Sequence, residues 1–110
     1  MTIGFTEVVA RCSASEGELE EWIALAWVRP QREGDDESWM FTEADVARIE
    51  LICDLVHEMA IERDAVEVIL PLVDRLYALR RELRALTRAL EILPDEMRAE
   101  VLERLERDRR

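Results

Sequence analysis

Residues 69–93 read ILPLVDRLYALRRELRALTRALEIL. Their apolar side chains Ile69, Leu72, Leu76, Leu79, Leu83, Leu86, Leu90 and Leu93 are spaced 3, 4, 3, 4, 3, 4, 3. That 3.5-residue repeat is the seam of a helix packed lengthwise on another helix. At a rise of ~1.5 Å per residue the helix runs about 36 Å. A leucine left in water forfeits about 1.5–3 kcal/mol of burial, so the seam needs a cover. A helix packed on its own domain is one solution. A two-chain coil is the better one, because 110 residues offer few other elements long enough to cover the whole seam. Leu72, Leu76, Leu79, Leu83, Leu86 and Leu90 are therefore the expected dimer interface.

Upstream of the seam, residues 61–70 predict a fourth helix, and Pro71 predicts either a boundary in the first turn of the long helix or a kink. Downstream, Pro94 ends the repeat. Asp95 and Glu96 open a last helix carrying Met97, Val101, Leu102 and Leu105, off the heptad register, since its next slots would be Glu100 and Arg104. The organisation read from this pattern is a head over residues 1–70, a coil over 71–93 and a short C-terminal helix over 94–110.

The head breaks into short elements. Thr6 is a plausible cap for a helix over residues 6–11, and Ser13-Ala14-Ser15 ends it. Ser15 and Glu18 have the spacing of a capping box and open a second helix to about Ala26, with Leu19, Trp22, Ile23 and Ala26 inward at helical spacing. Two short helices around a tight break are a helix-turn-helix pattern. Trp27-Val28-Arg29-Pro30 follows, then a polar stretch containing Gly34, then Ser38-Trp39-Met40-Phe41. Apolar flanks around a polar tip predict a small β-ribbon, or wing. Thr42, with Asp45 three residues on, caps a third helix whose stripe is Val46, Ile49, Ile52, Cys53 and Val56, ending near Met59.

Three glycines, three prolines and 37 % charged residues describe a helix-rich chain. No apolar run approaches the ~18 residues that span a bilayer, and MTIGFTEVVARC is too short and mixed for a signal peptide. Cys12 and Cys53 lack a pairing pattern and read as reduced, cytoplasmic thiols. The formal net charge is −11, and every basic residue is Arg. Residues 1–64 hold 16 acids against 5 Arg, a net of −11, whereas residues 65–110 hold 10 of each. An acidic head repels phosphate and attracts basic protein surfaces.

Catalytic and metal chemistry find little support. Cys53 and His57 are four apart on a helix, but a structural zinc takes four ligands and His57 is the only histidine. A packed Cys and a surface His is the simpler reading, with no metal and no cofactor. Asp54 and Glu58 are one of many carboxylate pairs that arise by chance in so acidic a chain. No nucleophile arrangement or phosphate-cradling loop is present, so an enzyme is not expected. Trp22, Trp27 and Trp39 read first as core and wing packing. Arg75, Arg80, Arg81, Arg84 and Arg88 read as solvated coil surface.

The order of these elements resembles a MerR-type winged helix-turn-helix. Trp27-Val28-Arg29-Pro30 sits at the turn before the wing. Residues 39–49, WMFTEADVARI, look like the aromatic, threonine, acid, aspartate, valine, arginine run after it. The long heptad helix looks like that superfamily's dimerisation helix. Within it the chain is more similar to the CbpM chaperone-modulator family: Phe5-Thr6-Glu7 opens the chain, SEGEL follows at residues 15–19, Val28-Arg29-Pro30 ends the second helix, and Trp39-Met40-Phe41 forms the strand. The likeness covers about residues 5–93; the segment after Leu93 extends past the family pattern. It implies a protein that binds the J-domain of a DnaJ-like co-chaperone (CbpA) and blocks its work with Hsp70. It also implies an antiparallel pairing of the long helices.

A DNA-reading second helix needs cationic or polar side chains for phosphates and base edges. This one carries Glu16, Glu18, Glu20 and Glu21, and the wing carries Glu33, Asp35, Asp36 and Glu37 beside Arg29 and Arg32. Any single acid among these is ordinary solvated surface; the cluster reads as a binding face. The expectation is thus a mainly α protein, a MerR-like winged helix-turn-helix head with a coiled-coil dimerisation helix, cytoplasmic and homodimeric. Glu18, Glu20, Glu21, Asp35, Asp36 and Glu37 are the expected charge partners of a basic J-domain helix, with weak or no nucleic-acid binding. The rival is a MerR-type transcription regulator without an effector domain, holding phosphates through Arg29, Arg32 or the coil arginines. A bare dimerisation adaptor is the third reading.

Overall fold

A computed structural model describes residues 2–109. Its order is β1 (Ile3–Gly4), α1 (Phe5–Arg11), α2 (Glu16–Ala24), β2 (Gln31–Glu33), β3 (Ser38–Phe41) and α3 (Glu43–Cys53). A π-helical turn (Asp54–Glu58) then leads to α4 (Arg63–Ile92) and α5 (Asp95–Asp108). The chain divides into two compact units between Pro71 and Leu72.

In the first unit, the sequence's capping signals do what their chemistry dictates. The Ser15 hydroxyl accepts the Glu18 N–H at 3.1 Å and the Glu18 carboxylate accepts the Ser15 N–H at 3.0 Å. Thr42 and Asp45 repeat this exchange at 3.2 and 2.9 Å. Each box satisfies N–H groups that a helix start leaves without intrahelical partners. Thr6, by contrast, lies inside α1, whose N-cap is Gly4 with no side-chain cap. The reason is upstream: Ile3 and Gly4 form a strand that hands the chain directly into the helix.

That strand pairs antiparallel with β3, placing Ile3 opposite Phe41 and Gly4 opposite Met40. β3 also pairs with β2, giving the order β1-β3-β2. The β2–β3 hairpin is the expected wing, turned by residues 34–37 with Gly34 at φ 87°, a region that suits glycine. Phe41 is fully buried and tilts against Phe5 with ring centroids 6.4 Å apart.

One core gathers Val8, Leu19, Trp22, Val28, Phe41, Val46, Ile49 and Ile52 with Val66 and Leu70 from the start of α4. No polar or charged residue is buried in it. Trp22 and Trp27 are core and Trp39 is half-buried on the wing, as packing aromatics should be. The π-helical turn continues α3 to Glu58, and Leu55 is buried there.

α4 is a single helix through Pro71, not a fourth helix followed by a fifth. Proline removes the bond its N–H would give to the Glu67 carbonyl, and its ring crowds that turn, at a cost near 3 kcal/mol. Both Glu67 and Pro71 are exposed, so water reaches that side of the helix. The run of Leu, Arg, Ala and Glu beyond Pro71 favours helix strongly.

The second unit holds the rest of α4 and α5. Pro94 breaks the chain between them and caps α5. Arg98 donates to the Leu93 carbonyl at 3.4 Å and to Asp95 at 2.9 Å, holding the turn.

Candidate protein-interaction face

α2 decides what the head can touch. At 100° per residue, Leu19 and Trp22 point into the core while Glu16, Gly17, Glu20, Glu21 and Ala24 share the exposed side. Three carboxylates and two residues with almost no side chain thus make a flat, anionic strip. Gly17 is free of packing demands: a Cβ there would meet nothing within 4 Å.

The six acids singled out in the sequence divide. Glu18 turns inward of the strip, and its Oε2 lies 2.6 Å from His57 Nε2. That hydrogen bond, helped by Ser15, holds the Glu18 carboxyl below its ordinary pKa. Glu21 pairs with Arg63. These contacts tie α2 to the π-helical turn and to the start of α4, and neither leaves its carboxylate free for a partner without exchange. Glu20 is fully on the exposed side, as is the neighbouring Glu16, which was not among the six.

On the wing, the Arg32 guanidinium stacks 4.0 Å from the centre of the Trp39 ring and lies 3.9 Å from Glu37. Strand register explains the stack, since Arg32 is the cross-strand partner of Trp39. The Ser38 N–H donates to Asp36 at 3.4 Å, and bonding to Ser38 holds the Asp36 carboxyl low. Asp35 stands exposed at the tip. The wing's cation is thus occupied by its own aromatic and acid. Between α1 and α3, Arg11 and Glu43 form a two-bond ion pair at 3.2 Å, which raises the arginine pKa and lowers that of Glu43.

The signals missed in the sequence are the partners of Glu18 and Glu21. His57 and Arg63 lie 39 and 42 residues away from them, so no local spacing marks them. His57 also lies within the π-helical turn, which no local spacing announces. Cys53 is buried, and burial pushes its thiol up to about 11; burial raises Cys12 as well. Both thiols line a pocket of about 270 Å³ with Arg11, Ser13, Glu50 and Asp54. A thiol held protonated is a poor nucleophile and metal ligand. Among the described residues no group of three or more His, Cys, Asp and Glu has a metal-holding arrangement.

In the second unit, the leucine seam lies open along α4. Leu72, Leu83 and Leu86 are 62, 63 and 62 % exposed and Leu76 and Leu79 nearly half, with Leu90 half-buried. No helix among the described residues is long and apolar enough to cross a membrane.

Comparison with known proteins agrees with this architecture. Residues 3–88 match the family described as "MerR HTH family regulatory protein". The chain is 31 % identical over 90 residues to the "Chaperone modulatory protein CbpM" of Escherichia coli (strain K12 / DH10B), covering 82 % of this chain and 88 % of that protein. The CbpM of Shigella boydii serotype 18 (strain CDC 3083-94 / BS512) matches with the same identity and coverage. Both names describe regulation and modulation and not a reaction. A winged helix-turn-helix head, a heptad helix and these relatives place the chain in the CbpM-like family of MerR-type helix-turn-helix proteins.

Proposed function

We propose that this protein is a chaperone modulator that captures the J-domain of a DnaJ/CbpA-like co-chaperone on the anionic face of its head and keeps that domain from its Hsp70. It does so as a homodimer joined through the α4 seam, in a reducing cytoplasm that keeps Cys12 and Cys53 as thiols. The observation that carries the reading is the exposed side of α2. Glu16, Glu20 and Glu21 stand there with no cation of their own helix, where a DNA-reading helix would need donors for phosphates and bases. A phosphate surface is repelled by such a strip. A basic helix is attracted by it, and Gly17 and Ala24 let that helix approach closely.

The dimer follows from burial. A two-chain coil removes Leu72, Leu76, Leu79, Leu83, Leu86 and Leu90 from water at about 1.5–3 kcal/mol each. By family likeness the two helices run antiparallel.

The test is capture of the host's J-domain proteins at moderate salt, alongside a DNA shift. Because Glu18 and Glu21 hold internal contacts, the sharper variant is Glu16→Lys with Glu20→Lys, and Asp35→Lys with Asp36→Lys on the wing. The α2 pair is expected to weaken J-domain binding at least tenfold with the fold intact. Unchanged capture by both variants rejects the acidic face, and tight duplex binding at moderate salt with no J-domain capture replaces the reading with the transcription-regulator one.

A further inference from the structure

We propose that α5 is a second part of the dimer contact, its apolar stripe packing on the long helix of the other protomer. This rests on the dimer reading above and adds a docking surface to it. Met97, Val101, Leu102 and Leu105 lie on one side of α5, and Met97, Leu102 and Leu105 are 54, 50 and 52 % exposed. α5 therefore does not spend this stripe on its own α4. The helix also lies outside the family match at residues 3–88.

Charge identifies the occupant. α5 carries six acids against three Arg, a net of −3, and residues 72–92 carry three acids against five Arg, a net of +2. Each α5 arginine is held by its own helix: Arg98 by Asp95 at 2.9 Å, Arg104 by Glu100 at 3.2 Å and Arg107 by Glu103 at 2.9 Å. Glu96, Glu106 and Asp108 remain as the anionic surplus. Along α4, no ion pair among the described residues engages Arg80, Arg81, Arg84 or Arg88. An apolar stripe with an acidic margin and a leucine seam with a basic margin are complementary, and a second copy of this chain supplies both.

Placement agrees. An antiparallel pairing of the seam sets Leu93 of one protomer opposite Ile69 of its partner. α5 starts two residues later, after the break at Pro94, and in the proposed dimer it doubles back there to run beside the partner's Leu72 and Arg75. At ~1.5 Å per residue its 14 residues reach about 21 Å, enough to lie along the basic stretch to Arg84.

Sedimentation equilibrium of the full chain tests this. Met97→Glu with Val101→Glu and Leu105→Glu is expected to raise the dimer dissociation constant at least tenfold. The charge reversal Glu96→Arg with Glu106→Arg, which keeps the apolar stripe and good helix formers, is expected to weaken the dimer at low salt. Adding Arg80→Glu with Arg84→Glu is expected to restore it. Unaltered dimerisation in both variants overturns the role of α5 while leaving the seam intact. A monomeric wild-type chain overturns the dimer reading itself, and a wild-type tetramer that falls to dimers in the variants overturns the assignment of α5 to the two-fold contact.

Discussion

Ala26 sits at φ 60°, where L-residues are crowded and glycine is not. It follows the last turn of α2, where the Trp27 N–H donates to the Trp22 carbonyl at 2.9 Å and the Ala26 N–H to Ile23 at 3.0 Å. Those two bonds define a Schellman closure whose αL position favours glycine. Ala26→Gly should therefore stabilise the head by about 0.5–1 kcal/mol, the relief of the left-handed strain exceeding the added freedom of the unfolded chain. A urea midpoint that rises at constant slope is the expected readout. The Glu18–His57 contact makes a second prediction at this scale. Because His57 holds the Glu18 pKa below its ordinary value, the unfolded chain takes up the proton first as pH falls. The contact's stability is thus present above about pH 4.3, the unfolded carboxylate value, and is lost as pH falls through the lower folded one. His57→Leu should be less stable than wild type at pH 6, with the difference shrinking below pH 4 in acid-unfolding curves.

At the scale of elements, Pro71 is the place where local preference was overridden. Its exposed position in an unbroken helix means Pro71→Ala restores one backbone bond without disturbing the core. The gain is bounded by the ~3 kcal/mol cost of an interior proline and reduced by the looser unfolded chain, so about 1–2 kcal/mol is expected. Thermal unfolding followed by circular dichroism checks it; a loss of stability would mean that proline fits the local geometry better than a regular residue. The same contrast explains what could be read in advance. Capping boxes at Ser15 and Thr42 and the wing around Gly34 are chemistry of near neighbours, and they were legible. β1 has two residues, too few for any period, and its existence is decided by pairing with Phe41 and Met40 across the head. The π-helical turn adds a residue to a helix without changing its apolar pattern. The candidate face was half legible: the acids of α2 and the wing stand out in the order of residues, but only the fold separates Glu16 and Glu20, facing water, from Glu18 and Glu21, bound to His57 and Arg63.

For the whole molecule the governing quantity is the uneven charge, with the entire net −11 carried by residues 1–64. The five head arginines are already counted in that net: Arg11, Arg32 and Arg63 each sit on one carboxylate, and the surplus of acids sets a field that extends into solvent. Such a field acts mainly on encounter, raising the association rate with a basic partner and decaying over a Debye length of about 10 Å at 0.1 M salt. The capture of a J-domain should accordingly lose at least tenfold in association rate between 0.02 and 0.3 M salt, with a smaller change in dissociation. Stopped-flow mixing with a labelled J-domain measures both. Dimerisation through the leucine seam should be far less sensitive to the same salt change, because burial of apolar surface is not screened. If association proved insensitive to salt, the partner would have to be held by apolar contacts, and the strip of Glu16, Glu20 and Glu21 would be solvated surface only.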